Sequence, residues 1–160
     1  MTPYLKYDLV PDMTFYDSED EERNLRDFQG RNMVLLVYES NYEAETRRVL
    51  KAIHNRLDSF RDEHANIVCV SLETPKEHRD FLDQEVLPFT FLSDPGRNLA
   101  KLLGAHDRVR GRVHNTTYIV DREGRIEARI PDMTDHIGHT RRALDLLAEM
   151  DRIEHWSVPT

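Results

Sequence analysis

An α/β domain in three layers, with a mixed central sheet between helices, is the architecture this sequence predicts. Three observations point to it. Residues 33–38, MVLLVY, are an unbroken apolar run with β-branched members, the pattern of a strand buried on both faces. Val49, Leu50, Ile53, Leu57 and Phe60 then recur at helical spacing, so a long amphipathic helix follows the strand. Apolar strand-length runs go on alternating with helical patterns down the chain. Strands separated by helices need crossovers and parallel pairing.

The elements read in order as follows. Residues 1–12, with Tyr4, Leu5, Tyr7, Leu9 and Val10, form an extended lead-in ending at Pro11. Residues 13–16 are a short strand, and the acidic run 17–24, DSEDEERN, is a solvated turn. Leu25 to Phe28 lead to a turn at Gly30 and into the buried strand. Glu39, Ser40 and Asn41 end that strand before the long helix. Residues 66–72, NIVCVSL, are a second buried strand. Thr74, Pro75 and Glu77 form a capping box with proline at the first helical position, and the helix runs to about Val86 with Phe81 and Leu82 inward. Residues 89–92 make a third strand. A helix beginning at 93–96 has Leu99, Ala100, Leu102 and Leu103 on its apolar face and Gly104 at its end. Residues 106–114, HDRVRGRVH, read as a mobile polar loop. Residues 116–121 and 125–130 form a hairpin turning at 121–124. Thr134 or Asp135 caps the last helix, with Ile137, Ala143, Leu144, Leu147 and Met150 on its core face and a tail fraying from His155. The order β–α–β–α–β–α–β–β–α is a thioredoxin-like arrangement, filling residues 1–160 as a single domain without repeat or linker.

With 160 residues there is enough chain for one real core. The formal net charge of −8 gives a nucleic-acid role no support. No apolar run reaches bilayer length, and the first residues lack the basic-then-apolar pattern of a signal peptide. The single cysteine excludes an intramolecular disulfide and fits a cytoplasmic location.

The buried strand feeding the long helix puts a helix N-terminus at the sheet's edge. Free N–H groups and a partial positive charge make such a terminus a seat for an anion or a thiolate. The residues placed there are Glu39, Glu43, Glu45 and Thr46, without a cysteine.

Several phrases in this order resemble the peroxiredoxins, in particular the bacterioferritin comigratory protein branch. They are DLVPDMTF at 8–15, LRDFQG at 25–30, LPFTFLSDP at 87–95, TYIVDREG at 117–124 and Gly138-His139. Together they span nearly the whole chain. The resemblance implies the thioredoxin-like fold and an ancestry in thiol-dependent peroxide reduction. It also implies where the chemistry would sit. The family's active loop carries proline, threonine or serine, and a cysteine, with an arginine just before the late strand. The matching positions here are Glu39, Glu43, Thr46 and Asn115, and Tyr42 keeps the family's aromatic. No later cysteine in the helix could resolve an oxidised thiol. A peroxidatic thiol must be ionised at neutral pH, which needs positive potential. Three glutamates oppose it, and a threonine hydroxyl has no sulfenic-acid cycle.

The expectation is therefore a peroxiredoxin-like chain whose former pocket, Glu39, Tyr42, Glu43, Thr46 and Asn115, has lost peroxidase chemistry and serves binding or regulation. The ligand is an unknown protein or small molecule, with no cofactor and no metal, in a monomer or homodimer. Two enzymatic alternatives stand beside it. One is a thiol-dependent peroxidase or oxidoreductase in antioxidant defence, using Cys69, a partner's thiol or an unusual site. The other uses a glutamate among 39, 43 and 45 as a general base near Asn115. Cys69, mid-strand, reads as a buried inert thiol. His106, His114, His136 and His139 are the residues a metal hypothesis would use, but convergent ligand spacing is missing. Arg108, Arg110 and Arg112 alternate on the polar loop, where they stay solvated or reach the vacated pocket. His155 and Trp156 offer a contact surface or pack onto the domain.

Overall fold

The structure, a computed structural model, describes the backbone of residues 8–157 and the side chains of residues 8–151. The expected strand–helix order is present around a mixed seven-stranded sheet. Its strands are β1 (Thr14–Asp17), β2 (Glu22–Asn24), β3 (Asn32–Val37), β4 (Ala65–Ser71), β5 (Thr90–Ser93), β8 (Thr116–Val120) and β9 (Ile126–Ile130). The spatial order is β2-β1-β5-β4-β3-β8-β9. A two-stranded ribbon, β6 (His106–Asp107) and β7 (Arg112–Val113), lies outside it. The helices are α1 (Ala44–Asn55), α2 (Leu57–Asp62), α3 (Pro75–Gln84), α4 (Asn98–Leu103) and α5 (His136–Ser157).

Strands β3, β4 and β5 are parallel because a helix separates each from the next. The β8–β9 hairpin sets β8 antiparallel against β3, and β1 closes the other side antiparallel to β5. Strand β3 is thus enclosed in the sheet plane by β4 and β8, and all six of its residues are buried. Its alternation divides the core. Val34, Leu36 and Tyr38 face α1, α2, α3 and α5 through Val49, Leu50, Ile53, Phe60, Phe81 and Leu147. Met33, Leu35 and Val37 face α4, the N-terminal segment and the ribbon through Leu99, Leu103, Val10 and Val113.

Local signals held where side chains close a motif. Thr74 Oγ1 accepts the Glu77 N–H at 3.2 Å, and the Glu77 carboxylate accepts the Thr74 N–H at 3.1 Å. The 121–124 turn requires Gly124, at φ +86°, where a Cβ would also meet the Gln29 amide at 2.6 Å.

Other expectations are corrected. Residues 22–24 of the acidic run form β2, because Thr14 to Tyr16 offer it a ladder; Asn24 then caps a 3-10 turn over Leu25–Phe28 with Asp27 bonding back. The long helix breaks at Arg56 (φ −115°, ψ 21°), whose N–H closes onto the Ile53 carbonyl at 3.0 Å. Helix α3 stops at Gln84, before Val86. Residues 106–113 are an ordered ribbon, not a mobile loop. Val113 is buried, and Asp107 collects the N–H groups of Val109 and Arg110. Ile137 lies on the solvent side of α5, 59% exposed, while Ala143, Leu144, Leu147 and Met150 are buried as expected. The backbone of α5 continues past His155 to Ser157. The expectations for Tyr4, Leu5 and Tyr7 and for the His155 and Trp156 side chains lie outside the described residues.

Among the described residues no helix is long and apolar enough to cross a membrane.

Candidate functional site

Strand β3 leaves the sheet at Tyr38, and the next five residues turn the chain into α1. Two sets of contacts hold this loop. The first is buried. The Tyr38 hydroxyl donates to Asn41 Oδ1 at 2.5 Å, and Asn41 Nδ2 lies 2.8 Å from His78 Nδ1. Since the Asn41 oxygen is occupied by Tyr38, its NH₂ donates, His78 Nδ1 accepts, and the proton sits on Nε2, which meets the Leu92 carbonyl at 3.1 Å. Burial holds the His78 pKa below its usual value, against the nearby Glu73 charge, so the ring is neutral. Glu73, only 5% exposed, accepts the Ser40 hydroxyl at 2.8 Å and the Asn41 N–H at 2.6 Å, and also bonds the Ser71 hydroxyl. Helix α3 and the end of β4 thereby fix the loop from the sheet side.

The second set is ionic and faces the opposite side. Asn115 Oδ1 accepts the Glu39 N–H at 3.0 Å. The Glu39 carboxylate meets Arg97 Nη2 at 2.7 Å and the Val113 N–H at 2.7 Å. Burial alone would raise the Glu39 pKa. The Arg97 bond, the Val113 N–H and the Arg112 charge together outweigh burial and hold it below the ordinary carboxylate range. Arg97 reaches Glu39 from a left-handed backbone position, φ +57°, just before α4. Glu43 Oε2 pairs with Arg112 Nη2 at 2.6 Å. Two of the three glutamates read from the sequence as opposing a thiolate are paired: Glu39 and Glu43 each have an arginine. Of the alternating arginines, Arg112 pairs with Glu43 and Arg110 also lines the cleft beside it, whereas Arg108 does not.

Between the start of α1, the ribbon and the link before α5 lies a cleft of about 530 Å³, lined among others by Glu43, Glu45, Arg112, His114, Asn115 and Asp132. Glu43 and Asn115 are therefore brought together, with Glu39 bonded to Asn115 at its edge. Thr46 stands in the first turn of α1, fully buried, and its hydroxyl has no hydrogen-bond partner among the described residues. Tyr42 does not join the cleft. It is 46% exposed, and its ring meets Phe81 edge-on at 5.4 Å.

Cys69 sits on β4, fully buried among apolar neighbours, and burial pushes its thiol pKa far up, only partly offset by a hydrogen bond with Tyr38. The histidines do not converge. His139 is buried between the Asp132 carbonyl (2.6 Å) and Thr117 Oγ1 (2.7 Å), while His136 lines a separate groove. Among the described residues no group of three or more His, Cys, Asp or Glu is placed to hold a metal. Arg97, Glu73 and His78 were missed in the sequence. Only His78 left a signal, three residues before Phe81 on the inward face of α3.

Comparison with known proteins agrees with this framework. The AhpC/TSA family profile matches residues 7–129. Peroxiredoxin Bcp of Escherichia coli K12 is 23% identical over 133 residues, covering 79% of this chain and 85% of its own. Peroxidoxin BcpB from Mycobacterium tuberculosis superposes with a TM-score of 0.82 at 19% identity, over 91% of this chain and 97% of that one. A Xanthomonas campestris bacterioferritin comigratory protein with alkyl peroxide reduction activity superposes with a TM-score of 0.80 at 19% identity, over 90% and 97%.

Proposed function

The chain belongs to the AhpC/TSA family of peroxiredoxins, and from that premise we propose that it has lost peroxidase chemistry and serves as a binding or regulatory protein. One observation carries the reading. At the first turn of α1, where the family resemblance sets the reactive thiol, stands Thr46, and the one cysteine of the sequence is buried in the central sheet with its thiol pKa raised. A thiol attacks peroxide as its thiolate, so a cysteine held protonated in an apolar interior is the wrong group in the wrong place. The family's arginine position is held by Asn115, which spends its oxygen on the Glu39 backbone. Arg97 and Arg112 are committed to Glu39 and Glu43, which leaves the entrance with paired charges and not the cationic surroundings a thiolate needs.

The cleft beside Glu43 and Asn115 is then a binding feature, with acceptors on Glu43, Glu45 and Asp132 and donors on Arg112 and Asn115. The test is peroxide consumption by the purified protein with a dithiol reductant, for the wild type and Cys69→Ser. No turnover above the reductant alone is expected in either. Turnover comparable with an active peroxiredoxin would overturn the proposal, and its loss in Cys69→Ser would assign it to that thiol.

A further inference from the structure

A second groove, away from the α1 N-terminus, runs between the later turns of α1 and the start of α5. Its volume is about 390 Å³. Arg48, Lys51, Arg56 and His136 line it, with Ala52 and the exposed Ile137 supplying apolar surface. Among the described residues no carboxylate lines it, in a chain whose formal net charge is −8. Among the described residues neither Arg48 nor Arg56 forms an ion pair, and Lys51 has only a loose one with Glu85 at 3.8 Å. Elsewhere on the same helix the pairing is close: Arg47 meets Glu85 at 2.5 Å.

We propose that this groove docks an acidic segment of a partner protein, an extended peptide in which carboxylates alternate with aliphatic side chains. The spacing favours a peptide over a single small anion. Arg48, Lys51 and Arg56 span eight residues of helix and linker, about 12 Å at the helical rise. One phosphate or carboxylate supplies a single partner for three cations. An extended chain rises about 3.3 Å per residue with alternate side chains on one face, so carboxylates about 7 Å apart can reach successive cations. The opposite face of such a peptide, or its intervening leucines, finds Ile137 and Ala52. A long exposed isoleucine beside unpaired cations combines an apolar anchor with charge complementarity, the pairing that gives interfaces their register. Nucleic acid, with its far higher charge density, is less compatible with the acidic remainder of the surface.

This docking site is independent of the lost peroxidase chemistry. The test is fluorescence anisotropy with a fluorescein-labelled peptide of alternating glutamate and leucine, alongside amide chemical-shift mapping on the wild-type protein. Saturable binding is expected, weakened at least about tenfold by Arg48→Glu with Arg56→Glu. Ile137→Ser should weaken it about threefold, and raising salt from about 0.05 M to about 0.3 M should weaken it too. Shifts should concentrate at Ala52, Arg56, His136 and Ile137. Three results would each overturn the proposal: no saturation at about 1 mM peptide, shifts lying elsewhere with affinity unchanged in the variants, or tighter binding at this groove by a single-stranded oligonucleotide than by the peptide.

Discussion

The two sides of the loop between β3 and α1 are held by opposite kinds of chemistry. On the sheet side, Tyr38, Asn41, His78 and Glu73 form a buried network of hydrogen bonds in which no cation takes part. On the cleft side, Glu39–Arg97 and Glu43–Arg112 are partly exposed ion pairs. The first is costly to break because each orphaned group stays in a low-dielectric interior. The second is screened by water and salt. The loop is thus fixed rigidly from behind, while its open face carries charges that can be exchanged at small cost to the fold.

The largest effect expected from this contrast is at His78. His78→Ala removes a buried ring and leaves the Asn41 amide and Leu92 carbonyl unpaired, so about 3–5 kcal/mol of stability should be lost in denaturant titration. Salt should not alter that loss. Arg97→Ala on the other side should cost only about 1 kcal/mol, less at high salt. Equal losses would dissolve the distinction.

Protonation sharpens the same comparison. Burial lowers the folded-state pKa of both His78 and His139 below the unfolded value, so their contribution is complete above about pH 6.5 and lost as pH falls through the folded values. Glu63, at the end of α2, behaves in the opposite sense. Its hydrogen bond with Asp151 on α5, then burial and the negative charges nearby, raise it to about 7. That contribution is present below the unfolded value and is lost as pH rises through about 7. Asp151→Asn removes a competing charge, so stability at pH above 7 should rise relative to acid pH, as read from thermal midpoints against pH.

How much of this could be read from the sequence depends on how far apart the partners lie in the chain. The central strand and helix α3 were legible because residues 33–38 are six consecutive apolar residues and the Thr74–Glu77 box closes within one turn. The loop between β3 and α1 was legible as a place, since Glu39, Glu43 and Thr46 fall along it and Asn115 bonds the Glu39 backbone. Its electrostatics were not. Arg97 is 58 residues from Glu39, and Arg112 is 69 residues from Glu43. No local pattern announces either pair. The ribbon at 106–113 was missed for a related reason. Val113 is held by burial and by the distant Glu39 carboxylate, while the polar residues around it carry only the signature of a loop.

Smaller effects separate Thr46 from its surroundings. Its buried hydroxyl has no partner among the described residues, so Thr46→Val should be neutral or stabilising by up to about 1 kcal/mol. A loss of more than that would mean the hydroxyl bonds something in solution. Thr46→Cys should carry a thiol pKa at or above the unperturbed value of about 8.5, because burial opposes the thiolate and Arg97 and Arg112 are already paired with Glu39 and Glu43. The check is thiolate absorbance against pH; a value well below 7 would refute the electrostatic account.

Most direct of all is the fate of the native thiol under a single equivalent of hydrogen peroxide, followed by intact mass on the reduced, folded wild-type protein. An unmodified Cys69 over the time in which an active peroxiredoxin is fully oxidised is the result expected. Rapid addition of one oxygen at Cys69 would contradict it.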